Sequence, residues 1–453
     1  MVMANQNNLA EQLQLLHECN YSDVNMRNRG PTRTPLRSDN AKGNHENRFL
    51  DAIAAALTSG QPGDVVAATF DKRQHIELVL AKNGPPTSED IGAANEFISL
   101  IGSPAVTRAA HLFPFLMRRC GANIDKRIHN LHTTIQSAEL RSDFASALQA
   151  YVPEADIRVE FPVVKLLEEY RDGSFFTVWS NLVETITDLT SQGLNAEDPL
   201  SSTSKYATLV LHADTLARSR FFKTLDDSAL SNVACKERIE RLKRRLRKVC
   251  QYFTDIAHVI KKAKRLLPIS HHWVEDTFTG TGEGALDLCD SPYDVVAREL
   301  QIPCLSPEIV DNLHTHFPSI LSNWERRQTT HACVHAELRI ILHFHVKSPL
   351  PDFAPVHPIG VSKRSCLCCT VWMELYNDFF GTQWKTSGSH GKPKADWALT
   401  GVALGRGLVD NCVWNAVSRR LEDVLYCLLP RQRSESDDEF EELEQLALDL
   451  MMD

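Results

Sequence analysis

Residues 334–344 read VHAELRIILHF, and residues 359–369 read IGVSKRSCLCC. These two stretches decide the fold class, because they predict two helices with a strand between them. Apolar residues recur at helical spacing over 329–346, which predicts a helix facing a core. Residues 354–362 alternate between apolar and polar as a strand does. A second helix is expected to begin there, with Ser365 as its N-cap.

The starts of both predicted helices carry residues suited to metal chemistry. In mid-helix, residues two apart diverge by about 200°, but at a helix N-terminus His335 and Glu337 can both reach over the end toward one point. Cys366 and Cys369 are three residues apart, so they project to one side of the second helix. Unpaired N–H groups and the helix dipole lower thiol pKa values at such a terminus. Thiolates are the species that zinc binds.

One imidazole and two thiolates leave one position of a tetrahedral zinc ion open for water, as in catalytic sites. Glu337, on the same helix as His335, is then placed to move protons. Two alternatives stay open: a structural zinc site with a fourth ligand from His331, Cys333 or Cys368, and a metal-free core with inert thiols. The pattern favours the catalytic geometry first and the structural zinc site second.

Composition narrows the class of protein. The chain has 453 residues and a net charge of −9, which argues against a broadly cationic nucleic-acid-binding surface but not against a local one. No run approaches the roughly 18 apolar residues of a membrane span, and the N-terminus shows no secretory signal. Twelve scattered cysteines then indicate reduced thiols and an intracellular location, either cytoplasmic or nuclear.

The remaining chain divides by composition and periodicity. Residues 1–45 are polar and rich in turn residues, which predicts a flexible N-terminal segment. Residues 46–87 predict a helix followed by a β-hairpin. The region 88–290 is mainly helical, and 291–428 contain the predicted metal site. Residues 429–453 form an acidic tail with an apolar stripe, suited to docking on this protein or on a protein partner.

The clearest element of the helical region is a long helix from about 226 to 267. Its apolar residues alternate three and four apart over four heptads, as in a coiled coil. The same helix is rich in lysine and arginine. We favour a helix packed in a bundle over a dimeric coiled coil, and a solvated basic face over one that binds a polyanion.

The motifs VHAELRIILHF and IGVSKRSCLCC resemble the nucleic-acid and nucleotide deaminase superfamily, which has the cytidine-deaminase-like fold. They are most similar to a poorly characterised deaminase-like family with many fungal members. Its pattern is His-Ala-Glu, a strand ending in Gly-x-Ser-Lys, and Cys-x-x-Cys. The resemblance implies that His335, Cys366 and Cys369 bind Zn²⁺ and that Glu337 is the general acid/base. The chain departs from the superfamily at Ser365, where proline is usual.

The resemblance also implies an α/β fold, a three-layer cytidine-deaminase-like core with a mixed sheet. Residues 46–87 would supply the first part of this core, and residues 291–428 the metal-binding part. The region 88–290 would then be a large, mainly helical insertion in the core. Strands from the two parts must therefore lie in one sheet.

Three more residues are candidates for substrate binding. In related deaminases an asparagine after the second strand contacts the substrate sugar, and Asn83 stands at that point. The alternative is that Asn83 is simply part of a turn. Downstream, His390 and Trp397 lie in a segment that could supply a hydrogen-bonding imidazole and a stacking ring. A loop histidine is more often only solvated.

We expect a zinc-dependent deaminase that hydrolyses the amino group of a nucleobase. A cytosine-type base in a nucleotide or nucleic acid is preferred to an adenine-type base. The alternative is a catalytically inactive deaminase-fold protein, in which a zinc-stabilised core carries the helical insertion or acidic tail as an interaction module for a protein partner.

Overall fold

The computed structural model shows a helix-rich chain around a central sheet. It describes residues 5–28, 41–154, 156–162, 175–193, 199–227, 233–264, 266, 269–275, 283–347, 356–401 and 408–428. The predicted acidic tail, 429–453, lies outside the described residues. No helix in the described ranges is both long and apolar enough to cross a membrane.

The helices in chain order are α1 (Gln6–Glu18), α2 (Val24–Asn28), α3 (Ala41–Leu57), α4 (Ser88–Gly102), α5 (Phe113–Gln136), α6 (Ala138–Ala150), α7 (Ile157–Glu160), α8 (Phe175–Gln192), α9 (Pro199–Ala217), α10 (Arg220–Asp227), α11 (Val233–Ala263), α12 (Pro292–Glu299), α13 (Pro307–His316), α14 (Ile320–Glu325), α15 (Ala336–Lys347), α16 (Leu367–Phe380) and α17 (Leu408–Leu428). A 3₁₀ helix, Ala109–Leu112, precedes α5. The strands are β1 (Val66–Asp71), β2 (Glu77–Lys82), β3 (Ser270–Trp273), β4 (Gly284–Asp287), β5 (Thr329–Ala332), β6 (His357–Val361) and β7 (Trp384–Thr386).

Five strands form one mixed sheet in the order β3-β2-β1-β6-β7. β1 and β2 form the predicted antiparallel hairpin, and β1 also pairs antiparallel with β6, where Ala67 lies opposite Val361. β3 is parallel to β2, and β7 is parallel to β6. The α/β class and the mixed sheet are confirmed. Strands from both ends of the chain share this sheet, as the interrupted core requires.

The sheet separates two hydrophobic cores. On one face, alternate residues of β1 and β2 pack with α3 to α6 and α8 to α11. On the other face, the intervening residues pack with α1 and α12 to α17. This alternation follows from the strand geometry, in which successive side chains point to opposite faces. The result is a layer of helices on each face of the sheet.

The contact between α3 and β6 is unusually close. A Cβ atom added at Gly360 would lie 2.1 Å from the carbonyl carbon of Leu50. Next to it, Asp51 accepts the N–H of Val361 at 2.8 Å. Burial raises the pKa of Asp51 to about 6, against the lowering effect of that hydrogen bond. Glycine therefore fixes how near the helix comes to the central strands.

A buried ionic network ties the helical region to the sheet. The Nζ of Lys82, at the end of β2, lies 2.8 Å from the Oδ2 of Asp90 and 3.3 Å from the Oδ1 of Asp64. Arg119 of α5 pairs with Asp90 from the other side and donates to the carbonyl of Leu57. Because each buried charge has a partner, the network avoids the cost of an isolated one.

The N-terminal prediction is wrong for Gln6–Glu18. Instead of being flexible, this segment is a helix whose leucines are fully buried. The weak sequence signal has a physical cause, since buried polar residues interrupt the apolar face but find partners. Gln12 donates to Glu299 at 2.7 Å, and Glu11 pairs with Arg298 at 2.6 Å.

The helical region differs from its expected bounds. The long helix is Val233–Ala263 and not 226–267, because Asp226 and Asp227 end the separate helix α10. It packs against α3, α5 and α9 of the same chain. The strands β3 and β4 lie inside the range 88–290, so the mainly helical part ends before β3.

Gly360→Ala tests the close contact of α3 with β6. We expect the free energy of unfolding to fall by about 3 kcal/mol, because the added methyl group meets backbone that cannot move aside. Urea denaturation of the full chain measures the change. Gly92→Ala is the matched control, since that glycine lies in exposed α4 with open space around it. The control should be neutral or slightly stabilising, and equal losses in both variants would contradict the prediction.

Candidate metal centre

The starts of the two predicted helices lie close together in space. The first residue of each helix differs slightly from the prediction. His335 stands directly before α15, and its carbonyl accepts the N–H groups of Leu338 and Arg339. The predicted helix over 329–346 is shorter, because residues 329–332 form β5. At α16 the N-cap is Cys366 and not Ser365: its Sγ accepts the N–H of Cys369 at 3.4 Å.

The structure brings His335, Cys366 and Cys369 together. The Nδ1 of His335 lies 3.6 Å from the Sγ of Cys366 and 3.2 Å from the Sγ of Cys369. All three side chains are buried, and their donor atoms lie within 4.8 Å of one another. Among the described residues, this is the group that could hold a metal ion. None of His331, Cys333 and Cys368 is part of it, so the geometry supplies three protein ligands.

The side chains of this group shift one another's pKa values. Burial raises the pKa of Cys366, but a hydrogen bond from Cys369 and the charge of His335 outweigh it and lower that pKa to about 6. Burial lowers the pKa of His335, and the Cys366 thiolate and Asp396 raise it well above its ordinary value. The pKa of Cys369 is raised by burial and by the neighbouring thiolate. The opposite shifts of the Cys366 and His335 pKa values show that each group stabilises the charged form of the other.

The donor set fits a zinc ion. Two sulfur atoms and one imidazole nitrogen are ligands that zinc prefers, and three such ligands leave one tetrahedral position open. The buried Nδ1 of His335 already faces both sulfurs. Binding requires only that protons leave His335 and Cys369, which a metal ion displaces.

Asp396 lies behind the histidine, and sequence reasoning missed it. Its Oδ1 is 3.7 Å from the Nε2 of His335, and neither of these buried atoms has a hydrogen-bond partner in the described structure. The main chain holds it there, since the N–H of Cys333 donates to the Asp396 carbonyl at 2.9 Å. A carboxylate on the second nitrogen of a histidine ligand fixes the ring and its tautomer. Asp396 could have been found from its position in the sequence, because it stands between His390 and Trp397 in the segment expected to border the site.

A buried ion pair, also missed, holds the chain just before the histidine. The Nη2 of Arg339 lies 3.0 Å from the Oε1 of Glu283. The Nε of Arg339 donates to the carbonyl of Val334 at 3.3 Å, and Glu283 accepts the N–H of Val334 at 3.3 Å. This pair therefore clamps the residue that precedes His335.

Glu337 lies in the first turn of α15, and Asn83, which follows β2, contacts the start of the same helix. Glu337 is buried, and its charge contributes to the raised pKa of His335. The Oδ1 of Asn83 accepts the N–H of Ala336 at 2.9 Å, and its Nδ2 donates to the carbonyl of Gly63 at 3.3 Å. Asn83 thus joins the end of β2 to the helix that follows the histidine. Its contact with a substrate stays a prediction.

The other two substrate candidates differ in their surroundings. His390 is half-buried, and its Nδ1 accepts the N–H of Lys392 at 3.0 Å. Burial and nearby cations lower its pKa to about 4, so it is neutral at physiological pH. Trp397 is fully buried in the core, which favours packing over stacking on a substrate. Its carbonyl accepts a hydrogen bond from the side chain of Gln6 in α1 at 3.0 Å.

The fold and the site define a buried group that could hold a metal ion within an α/β chain, and comparison with known proteins adds its class. Residues 334–400 match a family model described as OTT_1508_deam-like deaminase. This segment contains the three ligand candidates, Glu337 and Asp396, and it places the centre in a domain of the deaminase superfamily. No curated protein and no solved structure matches the chain. The match does not bear on the predicted fungal membership.

Zinc affinity should rise steeply with pH. Protons on His335 and Cys369 compete with the metal, and both pKa values are raised. Loss of about two protons per zinc gives up to ~100-fold tighter binding per pH unit. Competition with a chromophoric chelator between pH 6 and 8, roughly the range in which zinc-ligand protons are displaced, measures this. Cys369→Ser should lose zinc and the exposed Cys304→Ser should not; a pH-independent affinity would refute the assignment.

Asp396→Asn should weaken zinc binding about 10- to 100-fold, because the amide no longer holds the His335 ring as a carboxylate does. Chelator competition gives the affinity, and urea unfolding of the metal-free chain shows whether the fold is intact. Asp311→Asn, on the exposed surface of α13, is the matched control. Unchanged zinc affinity in a folded Asp396→Asn variant would exclude the positioning role.

Proposed function

We propose that the chain is a zinc-dependent deaminase that hydrolyses the amino group of a nucleobase in a nucleotide or nucleic acid. A cytosine-type base is preferred to an adenine-type base. One observation carries the proposal: the buried group of His335, Cys366 and Cys369 lies beside Glu337, in a segment that matches a deaminase family. The coarser statement, a deaminase-like domain with a possible metal site, is independent of which base is used.

Each residue of the centre has a defined task in this reaction. His335 and the two cysteines would hold the ion, and Asp396 would orient His335. When bound, zinc supplies a Lewis acid that lowers the pKa of water. The carboxylate of Glu337 would pass on both protons of the attacking water in turn, the first to the ring nitrogen and the second to the amino group. A C–O bond then replaces the C–N bond, and the amino group leaves as ammonia. Burial of these groups excludes bulk water and strengthens their electrostatic interactions.

The proposed domain organisation is a deaminase core interrupted by a helical insertion. Its first part is 46–87 and its metal-binding part is 291–428. The pairing of β1 with β6 supports a single core. The pairing of β3 with β2 supports moving the end of the insertion from 290 to before Ser270. The assignment of this core as cytidine-deaminase-like rests on the resemblance and the family match.

The second candidate is a catalytically inactive protein that uses the fold for interaction. The almost complete burial of Glu337, with 3% of its surface exposed, favours it, because a substrate must reach this side chain. A protein partner at the helical insertion or at the tail 429–453 stays a prediction. Zinc content does not separate the candidates, since both bind the ion.

The intracellular location also stays a prediction. It rests on thiol chemistry: all twelve cysteines lie in described residues and are free. Free thiols persist in the reducing cytoplasm and nucleus.

Ammonia release tests the activity. The zinc-loaded chain is incubated with cytidine, adenosine, their nucleotides and single-stranded oligonucleotides. We expect deamination of a cytosine-containing substrate, and a loss of about 10²- to 10⁴-fold in Glu337→Gln, because the amide cannot accept the proton.

Glu325→Gln is the matched control. Glu325 is exposed and precedes β5 in the sequence, whereas Glu337 follows β5, so this variant should retain the rate. Equal rates in the wild type and Glu337→Gln would exclude the proposed mechanism. Stoichiometric zinc without ammonia from any substrate would favour the inactive interaction module.

A further inference from the structure

Two exposed cationic segments flank the metal centre. Lys363 and Arg364 precede the ligand candidate Cys366, with Ser365 between them, and Lys392 and Lys394 precede Asp396. All four side chains are exposed, while the centre beside them is buried. We call Lys363, Arg364, Lys392 and Lys394 the cationic rim.

Backbone hydrogen bonds hold the two segments of the cationic rim side by side. The N–H of Leu367 donates to the carbonyl of Lys392 at 3.0 Å, and the N–H of His390 donates to the carbonyl of Ser365 at 3.1 Å. The N–H of Ser365 in turn donates to the carbonyl of Gly388 at 3.2 Å. The four cations therefore occupy one surface next to the zinc ligands, although about 30 residues separate the two segments (363 to 394).

The helical insertion brings more positive charge to the same surface. Partial desolvation lowers the pKa of Lys363 and the charge of Asp64 opposes this, while the charges of Lys394 and of Lys126 in α5 lower it further. Desolvation likewise lowers the pKa of Lys248 in α11 to about 8, with contributions from Arg127 and Arg364. These repulsions indicate that Lys126 of α5 and Lys248 of α11 lie within electrostatic range of the rim.

The rim has no direct ion-pair partner among the described residues, although Asp64 and Asp396 lie close enough for their charges to raise the pKa of Lys363 against desolvation. In the part of the chain that the structure describes, none of the four side chains forms an ion pair. The nearby carboxylates are engaged elsewhere, because Asp64 contacts Lys82 and Asp396 contacts His335. In a chain with a net charge of −9, a cationic surface without direct ion pairs beside a reactive centre attracts an anionic ligand.

We propose that the cationic rim binds the phosphates of a single-stranded nucleic acid and that Lys126 of α5 and Lys248 of α11 lengthen this track. The inference rests on the proposed function and names the substrate class of the same centre. Several cations on two segments match consecutive phosphates, whereas a mononucleotide offers one phosphate group. A base must also leave any helix to reach a buried centre, which favours an unpaired strand.

Fluorescence anisotropy with the full-length, zinc-loaded chain tests the proposal. Labelled single-stranded DNA and RNA of one sequence are titrated at several salt concentrations. Four phosphate contacts predict a slope of about −3 for log K against log salt, since each contact on a single strand contributes about −0.7. Lys363→Ala/Arg364→Ala and Lys392→Ala/Lys394→Ala should each weaken binding and reduce the magnitude of the slope by about 1.4.

The matched control is Lys236→Ala/Arg241→Ala. These exposed residues lie in the first turns of α11, where Arg238 pairs with Asp143 of α6. The control should bind the strand as the wild type does. Equal weakening in the control and the rim variants would overturn the assignment, because attraction would then come from charge in general. Circular dichroism of every variant confirms that the fold is retained.

Two further outcomes keep this inference separate from the proposed function. Rim-dependent strand binding without ammonia release would support the rim and reject the deaminase. Ammonia release from cytidine or its mononucleotide, without rim-dependent strand binding, would support the deaminase and overturn the rim. Competition by mononucleotide or inorganic phosphate as strong as that of the strand would also overturn the inference, since a polymer would then have no advantage.

Discussion

The antiparallel pairing of β1 with β6 is the constraint on which the rest of the structure depends. It joins segments far apart in sequence, and Thr69 reinforces it by donating to the carbonyl of Pro358, 289 residues away, at 2.7 Å. The entropic penalty of closing such a long loop remains moderate, because it grows only logarithmically with length, by about 0.6 kcal/mol per doubling. The pairing fixes β6, and β6 leads into the cysteines. On the other side β2 ends at Lys82, and the next residue, Asn83, contacts the helix after His335.

The metal centre combines strong local charges with a rigid surround. Cys366 and His335 shift each other's pKa values toward the charged forms, and this pair lies in a buried environment where electrostatic interactions are strong. The support comes from distant parts of the chain. The clamp of Arg339 and Glu283 holds the approach to the histidine, and α1 braces the segment after Asp396 through Gln6. The N-terminal helix therefore contributes to the geometry of a site more than 300 residues away.

The helical insertion has both a structural and an electrostatic relation to the centre. Its helices cover α3, and α3 contacts the central strands at Gly360, so the inserted layer completes one of the two cores. The ionic network of Lys82, Asp90 and Arg119 ties this layer to the hairpin. Besides burial, the charges of Lys126 and Arg364 lower the pKa values of Lys363 and Lys248 respectively, so this layer lies within electrostatic range of the cationic rim. Among the described residues this helical layer adds none to the group of His335, Cys366 and Cys369, so its relation to that group is one of packing and charge.

Local spacing by itself determined the hairpin, the helix after His335, and the grouping of Cys366 with Cys369, because helix and strand periodicities fix which neighbouring residues share a face or an end. The spatial proximity of His335 to the cysteines was predictable only because the two predicted helices that begin near these residues have one strand between them. Tertiary structure alone decided the burial of α1, the parallel pairing of β3, the clamp at Val334 and the place of Asp396. Each of these depends on contacts between distant segments, and periodicity within one segment carries no information about its partner.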